Sequence, residues 1–371
     1  MSEENRNIKI IISGGGTGGH LFPAIAIANA LRRIEPGVKI LFVGAEGKME
    51  MQKVPDAGYE IVGLPVAGLV RGGSIRNIYV AWKLFRSMLR AGQIIRKFEP
   101  DAVVGVGGYA SGPVLKQAQQ RKIPTLIQEQ NSYAGVTNKL LAKKAERICV
   151  AYEGMEKYFP KEKIMLTGNP VRQAYDNIAS LRDEALAHFN LSPGMPVVLV
   201  LGGSLGAGTV NNSVGGGIGL IETSGVQMIW QTGSHYYDRM RDMAEARGVT
   251  RIRVTGFINR MDLAYAAADV IISRAGAGTI SELALVGKPV ILVPSPNVAE
   301  DHQTHNAMAL VNRGAALLVR DADAQDELVK TALELVNDAS KRDSLSENIR
   351  KMAIRDADEI IAREVLKMIR R

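Results

Sequence analysis

Ile8-Lys9-Ile10-Ile11-Ile12-Ser13-Gly14-Gly15-Gly16-Thr17-Gly18-Gly19-His20 begins as a β-branched apolar run and ends with five glycines in six positions. The run reads as a buried strand, and the glycines as a tight turn into a helix over Phe22 to Arg33. The alternation continues through Lys39-Ile40-Leu41-Phe42-Val43, Ala102-Val103-Val104-Gly105-Val106, Thr125-Leu126-Ile127 and Arg147-Ile148-Cys149-Val150. Short strands that are apolar throughout, separated by helix-length segments, belong to a parallel sheet covered on both faces.

The pattern restarts at Pro196-Val197-Val198-Leu199-Val200-Leu201, which runs into Gly202-Gly203-Ser204-Leu205-Gly206. Met228-Ile229-Trp230, Ile252-Arg253-Val254, Val270-Ile271-Ile272 and Pro289-Val290-Ile291-Leu292-Val293 follow. The expected fold class is α/β, with two doubly wound parallel-sheet domains in tandem. The turn-rich stretch Thr167-Gly168-Asn169-Pro170-Val171-Arg172 is the natural linker. From about Ser346 to Arg371 the spacing predicts a helix with Ile354, Ile361, Val365 and Met368 on one stripe.

Composition agrees with two domains. The chain has 371 residues, 46% hydrophobic and 23% charged, which excludes collagen-like, disordered and disulfide-stapled classes. One cysteine, Cys149, lies in an apolar run and reads as a buried structural thiol. The polar N-terminus lacks a signal-peptide core, and no apolar run has the ~18–20 residues of a membrane span, so a cytoplasmic protein is expected. The net charge of +8 favours an anionic partner: nucleic acid, a nucleotide or an anionic membrane surface.

Four glycine clusters follow strands, where open α/β sheets bind ligands. The first matches GxGxxG through Gly14, Gly16 and Gly19, but the nearest acidic partner for a dinucleotide ribose, Glu46, comes too late. No Gly-Lys-Ser/Thr closes a Walker loop. Pyrophosphate contact and a plain strand-to-helix turn both remain readings of it. The second cluster, around Ser204, suits a diphosphate; it also matches the GxSxG elbow of a serine hydrolase, with Asp269 and His302 following in order. The third is Gly105-Val106-Gly107-Gly108-Tyr109-Ala110-Ser111-Gly112-Pro113. The fourth runs from Arg274 to Glu282, where Glu282 either accepts vicinal ribose hydroxyls or complements a helix dipole.

Asp321-Ala322-Asp323 and Asp356-Ala357-Asp358 match the DxD of metal-dependent nucleotide-sugar enzymes. Helix capping explains the first better, and the second is expected to be solvated within the last helix. His302 and His305 have zinc-like spacing without an evident third ligand. No metal is expected. Residues 71 to 97 carry seven basic residues and no acidic one, and Ile78, Trp82, Phe85 and Leu89 share a helical face. Such a face either lies on an anionic bilayer or packs into the core.

Taken in order, several segments resemble glycosyltransferase family 28, with its two-domain GT-B architecture. They are Gly14 to Ala24, Gly107 to Pro113, Gln128-Glu129-Gln130-Asn131, Gly168 to Arg172, Gly202 to Ala207, Arg274 to Glu282, and His302-Gln303. The resemblance implies two Rossmann-like domains facing a central cleft. Residues 1–171 would be an acceptor and membrane-binding domain, with a helix over 352–371 packing back on it, and 172–351 a donor-binding domain. It implies inverting transfer of N-acetylglucosamine (GlcNAc) from UDP-GlcNAc to the muramoyl C4 hydroxyl of lipid I, undecaprenyl-pyrophosphoryl-MurNAc-pentapeptide. The products would be lipid II and UDP, with no cofactor. Donor contacts carry over to Thr17, Gly18, Gly19, Asn131, Arg172, Ser204, Ile258, Ala277, Gly278, Thr279, Ile280, Ser281, Glu282 and Gln303. Gly15, Gly16, His20, Gly108 and Tyr109 fall on the acceptor side.

His20 is the first choice of base because imidazole titrates near neutrality, with Glu129 and Asn131 as rivals. Ile75, Ile78, Trp82, Phe85, Arg86 and Arg90 would form a membrane face against anionic inner-leaflet phospholipids. The expected place is the cytoplasmic face of the cell membrane, peripherally bound. Cell-wall synthesis and division proteins are further expected partners, and nucleic acid is not. A sugar-nucleotide epimerase or lipid glucosyltransferase of the same fold, a serine hydrolase, and a nucleotide-binding regulator are the competing readings.

Overall fold

The computed structural model describes residues 7–66, 76–171, 175, 178–203 and 205–370; residues 76–79, 81 and 299 are described by their backbone alone. The chain divides into two compact units. One comprises residues 1–171 with 356–371, and the other 172–355.

In the first unit the strands are β1 (Lys9–Ser13), β2 (Lys39–Ala45), β3 (Glu60–Leu64), β4 (Ala102–Gly105), β5 (Thr125–Glu129), β6 (Arg147–Val150) and β7 (Ile164–Leu166). The intervening helices are α1 (Gly18–Ile34), α2 (Glu50–Asp56), α3 (Arg76–Phe98), α4 (Ser111–Gln120) and α5 (Val136–Ala142). All pairings are parallel, in the order β3-β2-β1-β4-β5-β6-β7. Ile10 and Ile12 point into one core with α1, and Ile11 into the other with α3 and α4. A strand buried on both sides needs no polar residue, which is why β1 reads as an unbroken apolar run.

The second unit contains α6 (Arg182–His188), β8 (Val197–Leu201), α7 (Gly208–Gly216), α8 (Ile218–Thr223), β9 (Gln227–Gln231), α9 (Tyr237–Ala246) and β10 (Ile252–Thr255). It continues through α10 (Met261–Ala267), β11 (Val270–Ser273), α11 (Ala277–Val286), β12 (Val290–Leu292), α12 (His302–Val311), β13 (Leu317–Leu318), α13 (Ala324–Asn337) and α14 (Ala339–Arg350). Its parallel sheet runs β10-β9-β8-β11-β12-β13.

The predicted α/β class with two doubly wound parallel sheets is therefore what the chain adopts. In each sheet the strand order reverses once, between β1 and β4 and between β8 and β11. Chain connections leave a reversal point in opposite directions and open a crevice at the strands' carboxyl ends. The four glycine clusters are the loops after these four strands. Register brings them level: Ser13 stands beside Gly105, and Leu201 beside Ser273.

The last predicted helix is two. α14 ends at Arg350, and α15 (Ala357–Ile369) starts after an interruption that includes Ile354 and Asp356, the latter at φ 56°. Ile361, Val365 and Met368 of α15 join the core of β1 and α1, while Ile354 leaves the stripe. Asp358, expected to be solvated, is buried and paired with Arg33 at 2.9 Å, so α15 is fastened to α1 by charge as well as packing. Cys149 is buried, and burial pushes its thiol pKa up to about 12.

Candidate active site

In the first unit the two glycine loops touch backbone to backbone. A side chain at Gly108, whose φ is 83°, would sit 2.3 Å from the Gly15 carbonyl oxygen. Only glycine permits that approach. Beneath them lies Glu50, a fully buried carboxylate absent from the sequence-based site. The Gly16 amide donates to both its oxygens at 3.0 Å, and Ala45 N–H donates to Oε1 at 3.0 Å. The amide expected to meet an external anion is thus held by one from the chain itself.

His20 lies on the first turn of α1 against the third cluster; a Cβ on Gly107 would meet its Nε2 at 2.9 Å. Thr17 Oγ1 lies 3.1 Å from His20 Nδ1 and makes no side-chain cap for the helix. Behind His20 is a buried amide network. Gln128 donates to Asn169 Oδ1 at 2.9 Å, Gln130 donates to the Val106 carbonyl at 2.7 Å, and Asn169 donates to the Gln130 carbonyl at 3.0 Å. It ties the ends of β4 and β5 to the segment after β7.

Glu129 corrects the sequence reading. It is buried, and its carboxylate accepts from Asn131 N–H at 3.1 Å, Asn131 Nδ2 at 3.2 Å, Gly135 N–H at 3.0 Å and Asn138 Nδ2 at 2.8 Å. Burial raises its pKa, opposed by these bonds. Both oxygens are engaged in shaping the loop over 130–135, which removes Glu129 as a base; Asn131 is one of the donors that hold it. Tyr109 is exposed at the head of α4, where Ser111 Oγ donates to the Gly108 carbonyl at 3.0 Å.

In the second unit the glycine loop after β8 is clamped by a neutral side chain. Gly203 N–H donates to Gln231 Oε1 at 3.1 Å, and Gln231 Nε2 donates to the carbonyls of Gly203 at 2.9 Å and Gly256 at 3.1 Å. One amide therefore spans the loops after β8 and β10, the second of which carries buried Ile258.

A cavity of about 410 Å³ opens here, lined by Gly202, Gly206, Thr209, Tyr236, Arg274, Gln303 and Asp321 among others. That is within the usual range for a small-ligand pocket. Asp321 bridges its walls, accepting from Arg274 and, at 3.0 Å, from Thr209 Oγ1. Asp323 pairs with Arg320 at 2.6 Å and makes no side-chain cap on α13, so neither carboxylate of this DxD caps the helix as expected. Among the described residues no three His, Cys, Asp or Glu side chains group as metal ligands.

Gln303 Oε1 accepts from Ser295 N–H at 2.9 Å, which fixes its amide at the cavity wall. On α11, Ser281 Oγ donates to the Ala277 carbonyl at 3.2 Å, and a Cβ on Gly278 would meet nothing within 4 Å. The Ile280 amide donates to the Gly276 carbonyl at 2.9 Å, and the first turn of α11 borders open space at Gly278. Glu282 is held by two phenols: Tyr175 donates to Oε1, and Tyr265 to Oε2 at 3.3 Å.

Comparison with known proteins accounts for this layout. Residues 10–150 match the glycosyltransferase family 28 N-terminal domain, and residues 197–361 its C-terminal domain. The chain belongs to glycosyltransferase family 28. Over 376 residues, covering 99% of both chains, this family 28 member is 57% identical to a Bacteroides fragilis protein. That protein is named UDP-N-acetylglucosamine–N-acetylmuramyl-(pentapeptide) pyrophosphoryl-undecaprenol N-acetylglucosamine transferase. A Phocaeicola vulgatus protein of the same name is 59% identical, over 98% of this chain and 96% of its own length. The crystal structure of Acinetobacter baumannii MurG superposes with a TM-score of 0.80 at 28% identity, over 97% of this chain and 99% of that one.

Asp269, the acid of the competing hydrolase reading, is already engaged at the start of a strand. Asp269 pairs with Arg182 at 2.9 Å and accepts from Val197 N–H at 2.8 Å, at the start of β8. Leu201, the last residue of this five-residue strand, stands about 13 Å away at its other end. Glu46, weighed as a ribose ligand, instead pairs with Arg90 at 2.6 Å.

Of the expected membrane face, Trp82 and Phe85 of α3 are 51% and 61% exposed, as is Leu89 beside them, and the Arg86 guanidinium lies 4.8 Å over the Trp82 ring. The alternative of core packing is therefore overturned; Val80, Ala91 and Ile95 make the buried side of α3. No helix among the described residues is long and apolar enough to cross a membrane. The expected sites Arg172, Ser204 and Ile75, and the side chain of Ile78, lie outside the described residues.

Proposed function

We propose that this family 28 chain transfers GlcNAc from UDP-GlcNAc to the muramoyl C4 hydroxyl of undecaprenyl-pyrophosphoryl-MurNAc-pentapeptide, with inversion at the anomeric carbon. The observation that carries this reading is agreement over nearly the whole length, at 57–59% identity, with enzymes named for that transfer. In the reaction the C4 oxygen bonds to the anomeric carbon, the bond from that carbon to the UDP oxygen breaks, and the hydroxyl proton leaves for a base.

His20 is that base. When its Nδ1–H donates to Thr17 Oγ1, the lone pair stands on Nε2. The imidazole then takes a proton without entering a buried charge network. Gly15, Gly16, Gly108 and Tyr109 flank it on the acceptor side.

The second unit holds the donor. The Ile258 backbone meets the uracil edge and Glu282 the ribose hydroxyls. The loop around Ser204, with Arg172, holds the diphosphate as it departs, and the first turn of α11 with Gln303 holds the sugar. Fixed donors aimed at the leaving oxygens stabilise the charge that develops there. The exposed rings of α3, flanked by Arg86, rest the enzyme peripherally on anionic inner-leaflet lipid, where a prenyl acceptor resides.

The test is incubation with radiolabelled UDP-GlcNAc and a short-chain lipid I analogue. Label is expected in a lipid-extractable disaccharide. UDP release without that product would overturn the assignment.

A further inference from the structure

Asp321 is a carboxylate in the wall of a cavity proposed to hold an anionic donor. On charge alone it is misplaced there, because a like charge weakens the hold on a diphosphate. Its contacts supply a reason for its presence. Oδ1 accepts from Arg274, and Oδ2 accepts from Thr209 Oγ1 at 3.0 Å. Arg274 stands directly after β11, Asp321 three residues after β13, and Thr209 in the first turn of α7. The Arg274 guanidinium also donates to the Val293 carbonyl at 3.0 Å and the Pro294 carbonyl at 3.3 Å, in the loop after β12. Segments that follow three adjacent strands, β11, β12 and β13, therefore meet at one cation, and Thr209 ties in the helix that follows β8.

All of the Arg274 bonds leave from a single nitrogen, Nη1. Nε and Nη2 donate to none of the described residues, and the side chain, 18% exposed, lines the cavity. A guanidinium is a rigid planar fork. Held by one nitrogen, it keeps a two-nitrogen edge, and such an edge matches two oxygens of a phosphate. An arginine without an anchor would lose rotamer freedom when it binds, so fixing it beforehand raises affinity. Asp321 is the charged member of that anchor, and Thr209 fixes the carboxylate in turn.

We infer that Asp321 and Thr209 are positioning residues that hold Arg274 by Nη1, so that its Nε–Nη2 edge receives the diphosphate of the bound sugar nucleotide. The inference rests on the proposed donor site. It adds to that site a guanidinium besides that of Arg172, together with the brace that orients it. It also gives the Asp321-Ala322-Asp323 motif a use, since the cation held by its first carboxylate is a side chain of the same unit.

The experiment measures the Kd of UDP and of uridine for the full-length enzyme by displacement of a fluorescent UDP analogue. The ratio of the two values isolates the diphosphate from the nucleoside. The sign of the change decides the matter: losing a negative charge would by itself tighten UDP binding, whereas losing an anchor weakens it. Asp321→Ala should lower the advantage of UDP over uridine about tenfold, the worth of one hydrogen bond to a charged group, with the Kd of uridine unchanged. Asp321→Asn keeps an acceptor for Arg274 and should stay within about threefold of the native ratio. Thr209→Val, which alters no charge, should lower the ratio about two- to threefold, and it carries the test if Asp321→Ala does not accumulate as folded protein by circular dichroism. Arg274→Ala should lower the ratio at least about tenfold, and adding Asp321→Ala to it should lower it no further. If Arg274→Ala lowers the ratio while Asp321→Ala and Thr209→Val leave it unchanged or raise it, the positioning role is overturned and the donor site stands. If Arg274→Ala leaves the ratio unchanged, the diphosphate contact fails and this inference with it; transfer of label to the lipid I analogue by the same variant then shows that the proposed reaction survives.

Discussion

Replacing Glu50 by Gln tests whether an internal carboxylate, rather than a ligand, sets the shape of the first glycine loop. The side chain keeps its length, but only one of its two terminal atoms still accepts. In the native chain Gly16 N–H reaches both oxygens at 3.0 Å and Ala45 N–H reaches Oε1 at 3.0 Å. In the variant an oxygen at the Oε1 position keeps an acceptor for Gly16 and Ala45, but Gly16 N–H then also faces an NH2 group, donor against donor, in a site closed to water. A lost hydrogen bond to a charged acceptor is worth about 1.5–3 kcal/mol, and the surviving bond weakens from charged to neutral. The expected loss of stability is about 2–4 kcal/mol. For a unit of this size that corresponds to a fall in Tm of roughly 5–15 °C.

The loop that loses its anchor also begins the helix bearing His20, so a displacement of about 1 Å there costs turnover on the order of 100-fold. Calorimetry of the isolated enzyme and initial rates at saturating donor measure the two effects. UDP binding, measured by titration, should stay near that of the native enzyme because Glu50 belongs to the other unit. A variant that melts within 2 °C of the native chain and turns over at a comparable rate would refute the argument.

His20→Ala should lower kcat by about 10²–10⁴-fold while UDP affinity is retained; an unchanged kcat in steady-state assays would remove the imidazole as base. The double variant Trp82→Ala, Phe85→Ser should bind anionic vesicles at least tenfold more weakly in flotation assays, because two exposed rings lose apolar area. Its Tm should stay within about 2 °C, since neither ring belongs to the core. Cys149, with a thiol pKa pushed up to about 12, should resist a thiol reagent at pH 8 and react once denaturant is added. The folded pKa lies above that of an exposed thiol, so the unfolded chain releases this proton first. This thiol therefore withdraws stability as pH rises from about 9 towards 12.

The central strands were legible because each is buried on both faces and leaves an unbroken apolar run. β3, β7 and β13 were not. Each sits at a sheet edge, pairs on one side only, and tolerates residues such as Glu60 that interrupt an apolar pattern. The glycine clusters were legible as loops at the carboxyl ends of strands, but what the glycines are for was not. Gly108 is needed against Gly15, and Gly206 against the Thr232 carbonyl, which a Cβ would approach to 2.3 Å. These are contacts between distant segments, and local spacing carries no trace of them. For the same reason Glu50 resembles any surface acid of an amphipathic helix, although it is the anchor of a loop 34 residues away. The α3 stripe was readable, but whether it faces core or solvent depended on which other face of the helix Ala91 and Ile95 would bury.

The two reversal-point loops share a motif and differ in the charge of the side chain that anchors each. A loop of free amides attracts phosphate whichever sheet carries it. In the first unit the Gly16 amide is already satisfied by the buried carboxylate of Glu50, so it is not free to bind a phosphate oxygen. In the second, Gly203 is satisfied by the neutral amide of Gln231, and the cavity beside it contains Arg274 paired with Asp321. A neutral anchor leaves the second loop the better suited of the two to the departing UDP of the proposed reaction. On the proposed reading the first sheet receives the acceptor hydroxyl, with His20 as its base. Exchanging the two anchors, with Gln at 50 and Glu at 231, should weaken UDP binding through the second change alone.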